Sequence, residues 1–297
     1  MTTESLRYRD HQGDPTARLA LSRLLARTDT PLPLDEAALL IARDERHDVD
    51  IPAARARLDA LAHSIRLRPG APLQEAVARV AIGLFGEGRL TGDSETYDDP
   101  QNSDLPRVLE RGRGLPILLS IVMLGVARRL GLPLAGVSFP GHFLVGPAKG
   151  ALEAAGLPAE RSFWLDPFHG GRVLGVHDLR RSLKRNFPHA PEPGPEDWAR
   201  LTGPAPPRQV LVRLNQNLKR SWARRKNSDG SLRAIERILL LTPEAWPQHR
   251  DRGLLLARVG ALSAAESALT TYLAHVPGAP DAPRIAVILS SLRLQRG

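Results

Sequence analysis

The chain contains no cysteine, which removes disulfides, thiolate metal sites and thiol nucleophiles at a stroke. Lysine is scarce as well: four of the 41 basic residues, so the formal charge of +9 is carried by arginine. No apolar run approaches the ~20 residues of a membrane-spanning helix. The longest, Leu115 to Ala127, is broken by Ser120. The opening segment, 1–14, is polar and lacks the apolar core of a secretory signal. These absences predict a cytoplasmic protein with no membrane contact, and no residue pattern assigns a cofactor.

What is present suffices for folding. An apolar content of 42% supports real cores. A typical domain takes roughly 100–200 residues, so a chain of this length predicts two. Charge is unevenly spread. Residues 35–110 carry a net −6, whereas 111–190 and 207–237 each carry +7. A basic excess is the footprint of a nucleic-acid binder, and the Arg-rich segment 208–226 is its natural seat. The arginine bias with abundant Ala, Gly and Pro argues for a coding bias instead. An acidic segment beside basic ones also fits docking of the chain on itself.

Read in order, 1–14 is a flexible tail and four helical patterns follow at 15–27, 35–46, 51–68 and 72–86. Asp50 is placed as an N-cap with Pro52 in the first turn. The acidic loop 97–103 reads as a solvated turn, with Asn102-Ser103 able to cap a short helix, Leu105 to Arg111. Pro116 to Arg129 is an apolar helix with Pro at its start and Gly131 at its end. Segments 134–139 and 142–145, joined by Pro140-Gly141, and 162–165 read as strands. Residues 147–160 form a surface loop, and 176–186 a short basic helix. A Pro-rich linker, 188–207, separates the domain 15–187 from the helical 208–297. There the interval from Ala234 to Ala268 equals that from Pro243 to Pro277. Both match the tetratricopeptide period of about 34 residues.

Helix, His-bearing strand and Asp-ended strand are also the three stations of a thiol hydrolase. Its nucleophile sits at a helix N-terminus, a His acts as base and a carboxylate orients the His. His142 and Asp166 can be assigned; the nucleophile cannot.

Several motifs in this order carry a family resemblance: Pro100-Gln101-Asn102-Ser103, Gly114-Leu115-Pro116-Ile117, Phe139-Pro140-Gly141-His142-Phe143, Asp166-Pro167-Phe168-His169-Gly170-Gly171 and Arg250-Asp251-Arg252-Gly253-Leu254. From about Leu34 onward the chain resembles SirB-type proteins, a bacterial transglutaminase-like and tetratricopeptide family linked to gene regulation. The resemblance implies an α+β fold. It consists of a mostly helical N-terminal region, a papain-like core of one helix and an antiparallel sheet, then all-α repeats. It puts His142 and Asp166 at the second and third triad positions and the lost thiol near Leu115 to Ile117. The family shares that loss. This chain departs at Leu118, where a small hydroxyl residue is usual, and at Asp104, where an apolar residue is.

Three chemistries compete for these residues. Ser120 could replace the thiol in a Ser120-His142-Asp166 hydrolase or acyl-transferase. Against this, a mid-helix Ser usually bonds a carbonyl of its own helix. His142, Asp166 and His169 could ligate a metal, although Asp-Pro-Phe-His is no standard ligand spacing and His169 reads as a surface turn residue. Otherwise His142 and Asp166 form a buried structural pair, with Asn102 joining them. The preferred reading is a catalytically silent transglutaminase-like core whose cleft or repeats bind a protein partner, with a regulatory role. No metal or cofactor belongs to it. Nucleic-acid binding through 208–226 is the weaker rival.

Overall fold

The computed structural model describes residues 13–28, 31–158 and 162–296. Most of the expected tail, residues 1–12, lies outside the described residues. Asp14 does not belong to a tail: it is buried, and its carboxylate accepts from Thr16 N at 2.9 Å and Ala17 N at 3.1 Å. It thereby starts α1 (Pro15–Ala26). Helices α2 (Leu34–Glu45), α3 (Ile51–Ser64) and α4 (Leu73–Phe85) follow. Asp50 caps α3 as its residue type predicts, accepting from Ala53 N at 2.9 Å.

Next come β1 (Thr91–Gly92), a 3-10 turn at Pro100–Ser103, α5 (Leu105–Arg111) and β2 (Arg113–Gly114), which pairs in parallel with β1. The cap of α5 is Asp104, one residue beyond the expected Asn102-Ser103, and it accepts from Arg107 N at 3.1 Å. The central helix α6 (Pro116–Arg129) begins on a proline. It ends where Gly131, at φ +70°, lets Leu132 N reach back to Ala127 O at 2.9 Å, a glycine-dependent helix stop. Strands β3 (Leu134–Val137) and β4 (Leu144–Pro147), a one-turn α7 (Ala151–Ala154) inside the expected loop, and strands β5 (Trp164–Asp166) and β6 (Arg172–Leu174) complete an antiparallel sheet. Its strand order is β3-β4-β5-β6. Two more helices, α8 (Val176–Asn186) and α9 (Pro195–Thr202), lead to α10 (Pro207–Arg224). Finally α11 (Ser228–Leu241), α12 (Trp246–Arg258), α13 (Leu262–His275) and α14 (Ala282–Arg296) form the repeats. No helix among the described residues is long and apolar enough to cross a membrane.

The described residues divide into two compact units, those within 28–43 with 48–210, and those within 13–27 with 44–47 and 211–296. These boundaries differ from those drawn on composition, because the α1 segment clusters with the repeats. In the first unit every side chain of α6 from Ile117 to Ala127 is buried. Each large apolar side chain that this helix removes from water contributes about 1.5–3 kcal/mol to that core. The acidic segment docks on it. Arg129 reaches Asp35 and Asp59, each at 2.6 Å, and Arg128 reaches Asp35 at 3.1 Å. Any side chain at Gly125 would crowd Asp35, so glycine there admits the carboxylate. The expected linker is partly structured too. Trp198 of α9 lies edge-on to buried Phe139, and Trp164 Nε1 donates to Thr202 O at 2.9 Å.

The second unit is built around Leu232, Leu256, Leu269, Tyr272, Ile285 and Leu289, one apolar seam through α11 to α14. Arg237 of α11 is fully buried. Its guanidinium donates to Asp44, to Glu45 and, at 2.7 Å, to Asn215 Oδ1. Glu45 also accepts from Trp222 Nε1 at 3.0 Å and Arg233 at 3.2 Å. Burial alone pushes a carboxyl up, but Arg237 and Arg233 more than offset it at Glu45, and the net shift is downward.

Removing one member of such a buried network strands the others, at a cost of about 3–5 kcal/mol. Arg237→Ala is expected to lower the urea unfolding midpoint by a corresponding amount, measured at pH 7. The linkage has a definite sign. Because Glu45 is depressed in the folded state, its contribution is complete above about pH 5, where the unfolded carboxyl is ionised. It is lost as pH falls through and below the ordinary carboxylate range. Unfolding midpoints measured from pH 7 down to pH 3 should fall for the wild type. The decline should be shallower in Arg237→Ala, where Glu45 has already lost its main partner.

Candidate functional site

The start of α6 is where a thiol enzyme would place its nucleophile, since helix dipole and free N–H groups stabilise an anion there. Here the position holds Leu115, Ile117 and Leu118, all buried, and Leu115 N is taken by Asn102 O at 3.0 Å. Ser120 lies one turn further in at 0% exposure, and its hydroxyl donates to Phe143 O at 3.5 Å. It therefore does not bond its own helix, as expected of a mid-helix serine, but ties α6 to the backbone just before β4. The bond is long and the hydroxyl is sealed from solvent.

His142 precedes β4 rather than opening it. It stands in the turn made by Pro140-Gly141, with its N–H on Phe139 O at 3.0 Å. The φ of +77° at Gly141 is one that glycine adopts without steric cost. The imidazole is half-buried. Burial is the main cause that holds its pKa below the usual histidine value; Asp166 pulls the other way, and His169, Arg185 and Arg172 add to the lowering.

Asp166 closes β5 as expected and is 1% exposed. Its hydrogen-bonded partner is not His142. Asp-Pro-Phe-His folds as a 3-10 turn, Pro167–His169, capped by Asp166, and such a turn brings residue i+3 back over the carboxylate. The carboxylate accepts from His169 N at 3.3 Å and is bonded to His169 Nδ1 at 2.6 Å. The expected His142–Asp166 pair is thus replaced by a local Asp166–His169 pair. His142 lies beside it, its ring 6.0 Å from that of His169. Read from the sequence as a surface turn residue, His169 was missed as this partner, and the turn-forming Asp-Pro-x-His spacing is the signal that could have found it.

Asn102 does not join these residues. Fully buried, it donates to Thr96 O at 2.7 Å and accepts from Arg111 at 3.1 Å. Arg111 also reaches Asp93 at 3.2 Å, and Asp93 is bonded twice by Thr96 at 2.7 Å. Burial raises the Asp93 carboxyl, yet the bonds from Thr96 and Asn102 and the charge of Arg111 carry it below its ordinary value. This network pins the loop ahead of α6.

His142, Asp166 and His169 offer ligand atoms within 4.8 Å of one another. A cation would have to displace the Asp166–His169 bond and accept Arg172 Nε 3.8 Å from the same carboxylate. The surrounding charge opposes it. On the Arg-rich helix α10, Lys219 is held by Gln248 at 2.7 Å and Asp251 at 2.5 Å, so one of its central cations is already neutralised.

Comparison with known proteins agrees with this frame. Residues 52–216 match the transglutaminase-like superfamily and residues 218–290 the tetratricopeptide repeat. A UPF0162 protein of Xylella fastidiosa is 38% identical over 277 residues, covering 90% of this chain and 93% of its own. One from Pseudomonas aeruginosa is 31% identical, covering 75% and 77%. Human F-box only protein 21 shares 31% identity over 59% of this chain but 26% of its own length. No solved structure matches. With a transglutaminase-like core, tetratricopeptide repeats and near full-length likeness to these bacterial relatives, the chain belongs to the UPF0162, SirB-type family.

Proposed function

We propose that this protein is a binding and regulatory module: a transglutaminase-like core without catalysis, and repeats that hold a protein partner. Tetratricopeptide arrays generally present a face to other proteins. The observation that carries the reading is a groove of about 270 Å³ between α10, α11 and α12. Its lining includes the apolar Ala223, Leu254 and Leu255 and the charged Lys226, Arg258 and Lys219–Asp251 pair. Leu254 is 36% exposed, an apolar side chain unfilled by the chain's own packing. A lining that mixes apolar side chains with mainly basic ones suits an amphipathic, acid-bearing segment of a partner.

The core supports the same reading from the other side. The helix start that would carry a nucleophile holds buried aliphatics, and Ser120 is committed to Phe143 O. The lack of cysteine is consistent with a reducing cytoplasm as the setting.

Leu254→Glu places a charge among the apolar lining residues and adds an acid to a groove proposed to bind acids. Captured from a lysate of a bacterium that carries this chain, one protein is expected to co-isolate with the wild type. Quantitative mass spectrometry should show its recovery reduced at least tenfold with the variant. Equal recovery with both forms, the variant being shown folded by circular dichroism, would place the partner elsewhere and remove the support for this groove.

A further inference from the structure

A second cavity, unrelated to the repeats, opens beside His142. It encloses about 140 Å³ between the sheet and α8. Its apolar base is Leu144, Leu174 and Leu179, and its polar wall comes from Arg172, Arg181, Ser182 and Arg185. Residues 178, 181, 182 and 185 share one face of α8 through helical periodicity. Asp178, which also lines the cavity, has its carboxylate turned to the helix start, accepting from Gly175 N at 3.0 Å. Asp166, the other acid in the wall, is bonded to His169.

The cations are less committed. Among the described residues, no hydrogen bond or ion pair engages Arg181 or Arg185, and Arg172 has only the 3.8 Å approach to Asp166. The neighbouring Arg180, by contrast, lies over the Trp198 ring and faces Glu192 at 3.6 Å. Ser182 adds an independent sign. Its hydroxyl is shut off from solvent and has no hydrogen-bond partner, whereas a helical serine ordinarily bonds the carbonyl one turn back. An orphaned donor, two unengaged guanidinia and an imidazole, gathered on one small cavity, are a complementary set for a multiply charged oxyanion.

We infer that this cavity binds a phosphoryl group. Two guanidinium forks and a hydroxyl can share the several oxygens of a phosphate, whereas a carboxylate is satisfied by one fork. The cavity is smaller than the ~300–1,000 Å³ of sites that enclose a whole small molecule. The phosphate is therefore the buried end of a phosphate monoester whose remainder stays in solvent, or inorganic phosphate itself. His142, which also lines the cavity, can donate one further hydrogen bond.

The test is isothermal titration calorimetry of the full chain at constant ionic strength, with phenyl phosphate, inorganic phosphate and acetate in separate titrations. Both Arg181 and Arg185 are exposed, so Arg181→Gln/Arg185→Gln is expected to fold. Saturable binding of phenyl phosphate or inorganic phosphate, weakened at least tenfold in the double variant, supports the site. Tighter binding of phenyl phosphate identifies a monoester, and equal binding identifies the free ion. Ser182→Val, which fills similar space without a donor, should weaken binding severalfold. Absence of saturation by either phosphate, affinity unchanged in the double variant, or acetate binding equally well would overturn the proposal.

Discussion

The core site depends on one constraint: Asp166 is a carboxylate removed from water, and a buried charge must find partners or lose its ionisation. In this chain the partners are local. The Asp-Pro turn carries His169 back over the carboxylate, and β6 brings Arg172 near it. A carboxylate so engaged is not available to hold His142 as a base. His142 is consequently left beside a pair rather than within a triad, with its protonation opposed by burial and by neighbouring positive charge. The helix start completes the argument, since the place where an anion would be stabilised is packed with Leu115, Ile117 and Leu118. The helix, strand and carboxylate positions of such a frame are present, while the helix start is packed with aliphatics and Asp166 is paired with His169.

The repeat unit rests on a similar principle with the opposite sign. Arg237 is a buried cation, and its fork is matched by Asp44, Glu45 and Asn215. Such a network contributes less by its net energy than by what it forbids, because any rearrangement that parts the groups strands a charge. This accounts for the clustering of residues 44–47 with the repeats, from which they are distant in sequence.

Much of the architecture was legible because its signals are local. Asp50 before Pro52 gave a helix start, Pro116 and Gly131 bracketed the central helix, and the spacing of Ala234 and Ala268 gave the repeat. What was missed depends on distant partners or on very short elements. Strand β6 is a short segment defined by pairing with β5 rather than by its own pattern. Helix α9 lies within the Pro-rich segment, where Pro195 serves as a first-turn residue and Trp198 meets Phe139. The Asn102–Arg111–Asp93 network joins residues through space, and no spacing announces it. At the site the residue types were legible, but their pairing was not. The sequence favours His142 as the partner of Asp166, and turn geometry supplies the nearer His169 instead.

The proposed catalytic silence of the core is most directly tested by intact-mass analysis of the purified protein after exposure to a serine-reactive fluorophosphonate. The account predicts no mass increase in the wild type, in Ser120→Ala or in His142→Ala. Stoichiometric labelling of the wild type that disappears in both folded variants would contradict it. It would show that Ser120 is reached and activated by His142 despite its burial and its bond to Phe143.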